Sequence, residues 1–387
     1  MKATYTPYGG AEKFSNQLID AFLGAGCAVN LLTLPGQDWP NRHPQLSITT
    51  LGQRSRGRIM RLVSFQKAVS RHVQSHSYVA IFGIDYTAGQ THLRAGGGTH
   101  RTFLRHRDEI RSVPARILRS FSIFHHLKLS YEKKAIESPL LKRLYCNSDM
   151  IRQEITASYH IPPQRIKVVH NGVEWQSFEY LFHHKDEIKK QLLVQHQLPA
   201  TSHFLLFIGS GFERKGLQYA IQGMQYLPSE FHLLVVGKGK EKPYQKMASR
   251  LKVPERIHFL GPQEGASRYF TLADGFILPT HYDPFSNASL EALAMGVPVL
   301  TTDRNGCAEV IQSGETGVIL SLPIQRGHLR QRIEDFIPLI QQSSNPAYRK
   351  QVRSSVQYLD FAKNLEKIVT DVLETGYDKN AHSQAFE

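Results

Sequence analysis

The sequence predicts two doubly wound α/β units, and three observations carry that prediction. Across the second half, short apolar runs alternate with helical patterns, the rhythm of a mostly parallel sheet with right-handed crossovers. The 387 residues exceed what a single core organises. The motifs rich in glycine and charge fall in loops at strand ends, where sheets of this class bind ligands.

Taken in order, Tyr5-Thr-Pro-Tyr-Gly-Gly-Ala-Glu-Lys-Phe14 reads as the loop and helix start that follow a first strand. Only four residues precede Tyr5, so the N-terminal unit is expected to lack its central first strand. Strands are predicted at 28–34, 46–50, 78–83, 143–146 and 166–169. The polar segment 170–200 reads as the connection between units plus an extra helix. The second half then runs strand 204–208, helix 216–226, strand 231–236, helix 241–252, strand 257–260, helix 265–273, strand 275–278, helix 287–295 and strand 297–301. After about residue 320 the rhythm fades. Residues 346–375 form one long amphipathic helical pattern, and 378–387 are expected to be a disordered tail. The resulting division is 1–170, 171–345 and 346–387.

The apolar fraction, 41%, is that of a soluble globular protein. No run of about eighteen apolar residues predicts a membrane span, and the N-terminus carries no secretory signal pattern, so the cytosol is the expected compartment. Cys27, Cys146 and Cys307 lie far apart and read as buried small apolar residues rather than a disulfide framework or a zinc site. His125-His126 with Glu132 lacks a third ligand at useful spacing, and no metal site is expected. The formal charge is +14, and between Arg94 and Lys134 ten Lys or Arg face three acids, interleaved with Phe103, Leu104, Ile110, Ile117, Leu118, Phe121, Ile123 and Phe124. That mixture favours an anionic membrane face or a phosphorylated partner over a merely solvated basic face. No nucleic-acid-reading module is visible, so a nucleic-acid partner is not expected.

The chemistry concentrates in four places. Asp283 stands just before the helix 287–295 and Glu291 inside it, with the amides of Asn287, Ala288 and Ser289 between them expected to be open to an anion. A diphosphate flanked by two hydroxyl-rich rings fits that layout. The loop Gly209-Ser-Gly-Phe-Glu-Arg-Lys-Gly216 follows strand 204–208 and brings Gly211, Arg214 and Lys215 to the start of the next helix. Cations there oppose the helix dipole unless an anion lies between, and a planar fork beside a compact ammonium suits a diphosphate. Gly9-Gly10, before the helix starting at Ala11, lets backbone approach a phosphate or sugar. Arg94-Ala-Gly-Gly-Gly-Thr-His-Arg101 ends in His100, whose imidazole can hydrogen-bond a sugar hydroxyl. No Asp-x-Asp occurs, so no carboxylate bridge for a divalent cation on a diphosphate is present, and no serine elbow, Walker loop or Cys–His arrangement points to hydrolysis.

With these motifs in view, the chain resembles the family 4 retaining glycosyltransferases, and within them the lipopolysaccharide core glucosyltransferases. The resemblance rests on Gly9-Gly10-Ala-Glu-Lys-Phe14, on 94–101, on 207–216, and on Asp283 to Glu291 with the following Ala-Leu-Ala-Met-Gly-Val-Pro-Val. It implies two facing Rossmann-like domains (GT-B type), an active site in the cleft between them, and a last helix over 346–375 returning to the N-terminal domain. It also implies a UDP-hexose donor, with Glu291 on the ribose, Asp283 on the donor sugar, and Arg214 and Lys215 on the diphosphate. On this reading Arg214, Lys215, Asp283 and His100 are catalytic, while Gly9, Gly10, Gly211, Asn287, Ala288, Ser289 and Glu291 bind the donor; no cofactor is required. The family pattern has Glu where Asp283 stands, one methylene longer. The implied acceptor is a lipid-linked or phosphorylated glycan at the inner face of the cytoplasmic membrane, with the protein peripherally bound there. A sugar-nucleotide epimerase or phosphorylase of related fold, and an inactive sugar-nucleotide binder, remain open alternatives.

Overall fold

The computed structural model describes residues 1–6, 10–53, 57–109 and 122–376. The chain divides into two compact units, Met1–His170 together with Ala362–Glu387, and Asn171–Phe361.

In the first unit, β1 (Val29–Thr33) and β2 (Leu46–Thr50) form a parallel pair, and β3 (Phe82–Gly83), β4 (His92–Arg94), β5 (Arg143–Cys146) and β6 (Ile166–Val168) form a parallel sheet in that order. Residues 1–3 lie between the two sets. The Lys2 amide donates to Leu32 (3.1 Å) and the Leu34 amide to Ala3 (3.0 Å); on the other side the Ile84 amide donates to Met1 (3.0 Å). The Met1 amino group donates to the Phe82 carbonyl (2.6 Å). The central position expected to be empty is therefore occupied at one end by these three residues, pinned further by Asp85, which accepts from the Ala3 amide at 2.7 Å. Strand 78–83 contracts to two residues, and β4 was not among the predicted strands. Its His92 and Arg94 are polar yet buried, because their partners come from afar: His92 meets Thr375 at 2.8 Å and the Arg94 guanidinium lies 3.9 Å from the centre of the Phe14 ring.

The pattern over 346–375 is two helices rather than one, Pro346–Ser354 and Phe361–Gly376. The first carries Tyr348 and Val352 into the core of the second unit. The second helix belongs, from Ala362 onward, to the first unit. There Asp371 accepts from Tyr145 Oη at 2.6 Å and Lys167 Nζ at 2.5 Å. Although burial alone would raise the Asp371 carboxyl, these hydrogen bonds and the Lys167 and Arg143 charges hold it below its ordinary value. Cys146 and Cys307 are buried as expected, whereas Cys27 is half-buried.

The second unit holds a six-stranded, wholly parallel sheet of β7 (His203–Ile208), β8 (Phe231–Val236), β9 (Ile257–Gly261), β10 (Gly275–Leu278), β11 (Val299–Thr302) and β12 (Gly317–Leu320), ordered β12-β11-β10-β7-β8-β9. Phe204 to Phe207, Leu233 to Val236 and Phe276 to Leu278 are buried, as strands covered by helices on both faces require. β12 escaped the sequence reading, and the expected helix 265–273 is a 3₁₀ stretch, Ala266–Thr271. The order reverses between β7 and β10. Chain leaving these two strands diverges to opposite sides, and the crevice outside their C-terminal ends is the binding position of such sheets.

At the opposite edge, Asp274 ties β10 to β7 and to the following helices. It accepts from the Phe204 amide at 2.9 Å and lies 3.7 Å from His203, 4.0 Å from Lys189 and 3.6 Å from Arg349. Burial pushes its carboxyl up, but the adjacent His203 imidazole, the Lys189 and Arg349 charges and the Phe204 amide together bring it below the ordinary value. His203 is raised, chiefly by the Asp274 carboxylate beside it. The stabilisation tied to the Asp274 carboxylate is present above the unfolded value of about 4 and lost as pH falls through the folded one. That tied to His203 is complete below about 6.5 and lost as pH rises through the raised folded value. Urea melts at pH 3.5, 5.5 and 8 are expected to show wild type exceeding Asp274→Asn by most at pH 5.5. An equal difference at all three pH values would refute the pairing.

Candidate functional site

The residues singled out at the strand ends of the second unit converge. The loop after β7 runs Gly209 to Gly216, and the loop after β10 runs Pro279 to Ser286. They are joined backbone to backbone: the Arg214 carbonyl accepts from the His281 amide at 2.9 Å and from Thr280 Oγ1 at 3.0 Å. Gly209 has no Cβ, so the alkyl stem of Lys215 lies across it; a Cβ would sit 3.2 Å from Lys215 Cγ. That stem carries the ammonium to the Asp283 carboxylate, with which it forms a hydrogen-bonded ion pair. Arg214 lies alongside, its Nη1 donating to the Tyr282 carbonyl at 3.0 Å and standing 3.9 Å from Asp283. The side chains of Lys215 and Asp283 are 13% and 11% exposed, against 42% for Arg214. The first two form a largely dry pair, and the arginine faces solvent.

The helix that follows, Asn287–Ala294, starts immediately beyond this pair, with Glu291 half-buried one turn inside it. Ser286 caps it through its side chain, which accepts from the Ser289 amide at 3.2 Å. Of the three amides expected to be open to an anion, Ser289 is therefore excluded. Its N–H is already satisfied, as a serine at the N-cap dictates. The amides of Asn287 and Ala288 have no acceptor among the described residues and remain at the positive end of the helix. Gly211 is exposed at φ +77° with open space around it, so the backbone there is approachable.

In the first unit, Gly10 opens the helix Gly10–Gly24; Gly9 lies outside the described residues. His100 opens the helix His100–Glu109, and its Nε2 is 2.9 Å from His125 Nδ1. The amides of His100 and Arg101 donate to Glu132, which also accepts from Tyr159 Oη. Glu132 is wholly buried, and burial raises its carboxyl above the ordinary range, with Tyr159 and the His100 and Arg101 amides opposing. This helix end is already filled by a carboxylate of the chain itself, so His100 offers its ring rather than a helix terminus. The structure thus gathers Gly211, Arg214, Lys215, Asp283, Asn287, Ala288 and Glu291 at one set of strand ends, and holds Gly10 and His100 in the other unit.

Sequence reasoning missed Asn305, which is buried behind Asp283 in the loop after β11 and bonded to Ser286 at 3.1 Å and Ser289 at 3.2 Å. It also missed the Ser286 cap. The signal for the cap is present as a serine directly before an apolar-periodic run; Asn305 leaves none beyond an Asn-Gly turn.

On the first unit's surface, Arg58, which opens the helix Arg58–Ser75, and Lys128, within the helix Ile123–Ile136, stand 5.1 Å and 5.5 Å from the centre of the Phe124 ring. Ile59, Met60 and Ile123 beside them are exposed. The middle of the basic, apolar stretch, 110–121, lies outside the described residues.

Residues 8–176 match the family described as Glycosyltransferase Family 4, and residues 188–351 the family Glycosyl transferases group 1. The chain is 21% identical over 387 residues to the lipopolysaccharide glucosyltransferase WaaG of Escherichia coli (strain K12), covering 97% of each. It is 29% identical over 133 residues to the lipopolysaccharide core biosynthesis glycosyltransferase LpsE of Rhizobium meliloti (strain 1021), 34% of this chain and 39% of that one. Among solved structures, WaaG superposes with a TM-score of 0.76 at 19% identity, over 96% of this chain and 98% of the other. Anabaena Alr3699/HepE in complex with UDP and glucose gives 0.67 at 16% identity, over 96% and 98%. The shared architecture is the GT-B fold of two Rossmann-like domains.

Proposed function

Because this chain belongs to the glycosyltransferases that join a Family 4 domain to a group 1 domain, we propose that it moves a hexose from a UDP-sugar to a glycan acceptor with retention of configuration. The observation that carries this reading is the Lys215–Asp283 pair, with Arg214 beside it, facing the start of Asn287–Ala294 at the β7/β10 switch point. Lys215, Arg214 and the amides of Asn287 and Ala288 take the diphosphate; Asp283 lies toward the sugar hydroxyls and Glu291 toward the ribose. A solved relative of the same fold in complex with UDP and glucose, and a relative named as a glucosyltransferase, support the choice of donor.

In the reaction the bond from the anomeric carbon to the diphosphate oxygen breaks with its electron pair going to UDP. The acceptor oxygen bonds to that carbon on the same face, and its proton passes to the departing phosphate oxygen. The chain needs no nucleophile of its own; it positions the partners and stabilises the developing charge. Incubation with a panel of UDP-hexoses, with and without lipopolysaccharide core oligosaccharide, is expected to release UDP only when the acceptor is present. Donor interconversion without acceptor would instead identify an epimerase, and UDP binding without turnover an inactive binder. Glu291→Ala is expected to weaken UDP binding by roughly tenfold in calorimetry, the loss of a charged hydrogen bond. Unchanged affinity removes the ribose assignment.

The acceptor is read as lipid-linked, with the protein held at an anionic membrane face. No helix among the described residues is long and apolar enough to cross a membrane. Support comes from exposed Ile59, Met60 and Ile123 beside Arg58 and Lys128, where each cation contributes about 1 kcal/mol near an anionic leaflet. Flotation is expected to show binding to phosphatidylglycerol vesicles that is lost in 0.5 M salt, taken as roughly that strength because surface charge is then heavily screened. Equal binding to phosphatidylcholine would end this part of the reading.

A further inference from the structure

We propose that Asn305 is a positioning residue for the donor, an inference that rests on the UDP-sugar reading of the same site. Asn305 is 1% exposed and uses its amide at every position. Its Oδ1 accepts from the Ser286 and Cys307 amides, both at 3.1 Å. Its Nδ2 donates to Thr301 Oγ1 at 2.9 Å and Ser289 Oγ at 3.2 Å. One side chain therefore links the end of β11, its following loop, the cap residue and the first turn of Asn287–Ala294. The backbone on either side of Asn305 holds Asp283 from both directions: the Asp283 amide donates to Arg304 at 2.9 Å, and the Gly306 amide donates to the Asp283 carbonyl at 2.9 Å.

Two groups assigned to the donor, the Asp283 carboxylate and the open amides of Asn287 and Ala288, are thus tied to each other through the Asn305 amide and the backbone that flanks it. Carboxylate and helix end must match a sugar ring and a diphosphate within a fraction of an ångström for both to be bound together. The far end of the same helix is also fixed, with Arg353 Nη1 donating to the Ala294 carbonyl at 2.5 Å and its guanidinium resting 4.5 Å from the Phe182 ring centre. Aspartate cannot replace Asn305. Thr301 Oγ1 already donates to the Leu278 carbonyl at 2.8 Å, so it can only accept, and a carboxylate oxygen would face its lone pairs.

The test compares wild type, Asn305→Ala, Asn305→Asp and Thr301→Val by UDP calorimetry, by steady-state kinetics with UDP-hexose and acceptor varied separately, and by thermal melting. Asn305→Ala and Asn305→Asp are expected to raise the UDP Kd and the donor KM roughly tenfold or more, with the acceptor KM unchanged. Thr301→Val keeps the residue's shape while removing one arm, and is expected to shift donor KM in the same direction by less. A purely structural role would lower the melting temperature and the active fraction while leaving donor KM and UDP Kd at wild-type values, and that result overturns the proposal. Wild type failing to bind UDP overturns it together with the donor reading; wild type binding UDP while all three variants bind equally well overturns it alone.

Discussion

Lys215→Ala is expected to lower turnover with UDP-hexose by about 10²–10³-fold, the effect of removing one preorganised group that meets charge developing in the transition state. The same substitution leaves the Asp283 carboxylate, 11% exposed, with Arg214, 3.9 Å away, as its remaining cationic neighbour among the described residues. Stranding a buried charge costs about 3–5 kcal/mol in deeply buried pairs, so part of any activity loss could come from a disturbed fold. The double variant Lys215→Ala/Asp283→Asn separates the two. Removing both charges restores much of the lost stability, because the penalty belongs to the unpaired partner. Turnover is expected to stay at or below the level of the single variant, since the leaving diphosphate still lacks its ammonium and the donor sugar loses the Asp283 carboxylate. Recovery of turnover in the double variant would mean that Lys215 serves only to neutralise Asp283. Arg214→Ala should fall less, because that guanidinium is 42% exposed and its charge is screened by water.

The parts of this molecule that sequence revealed are those where a local pattern and the tertiary environment agree. β7, β8 and β10 are buried on both faces, so they appear as unbroken apolar runs, and the loops after β7 and β10 follow from where those runs stop. β4 was hidden because His92 and Arg94 are buried through Thr375 and Phe14, residues remote in sequence that no window around the strand contains. β12 begins at Gly317, whose missing side chain is filled by approach of the Val299 carbonyl; a Cβ there would sit 2.1 Å from that oxygen. A glycine at a strand start reads as a loop until its neighbour is known. The break between Pro346–Ser354 and Phe361–Gly376 was invisible for a different reason. Val352, Val356, Leu359, Leu365 and Ile368 are all buried, and apolar spacing alone does not tell that the first three enter one unit's core while the last two lie in the other unit. Within the candidate site, charged residues were legible by type and place. The hydrogen bonding that aims them was not, since Asn305 gathers partners from four separate positions.

Gly216→Ala is expected to be the most damaging single-methyl change in this site, costing stability by roughly 3 kcal/mol or more and nearly abolishing UDP binding. Gly216 has φ +75°, and a Cβ placed on it would lie 1.9 Å from the Pro279 carbonyl oxygen, far inside contact distance. Neither atom is the end of a flexible side chain, so relief requires moving the loop after β10. That loop is tied back by the Thr280 and His281 bonds to the Arg214 carbonyl, so any shift pulls on Arg214 and on the Lys215–Asp283 pair as well. Gly211→Ala supplies the control. Its φ is similar at +77°, yet nothing lies within 4 Å of the new Cβ, so only backbone strain of about 1 kcal/mol applies. Urea melts and UDP calorimetry on the two variants therefore distinguish conformational strain, which they share, from close approach of the two strand-end loops, which only Gly216 experiences. If both variants lose the same stability and the same affinity, the loops are not held together through Gly216, and the geometry assigned to Lys215 and Asp283 loses its support.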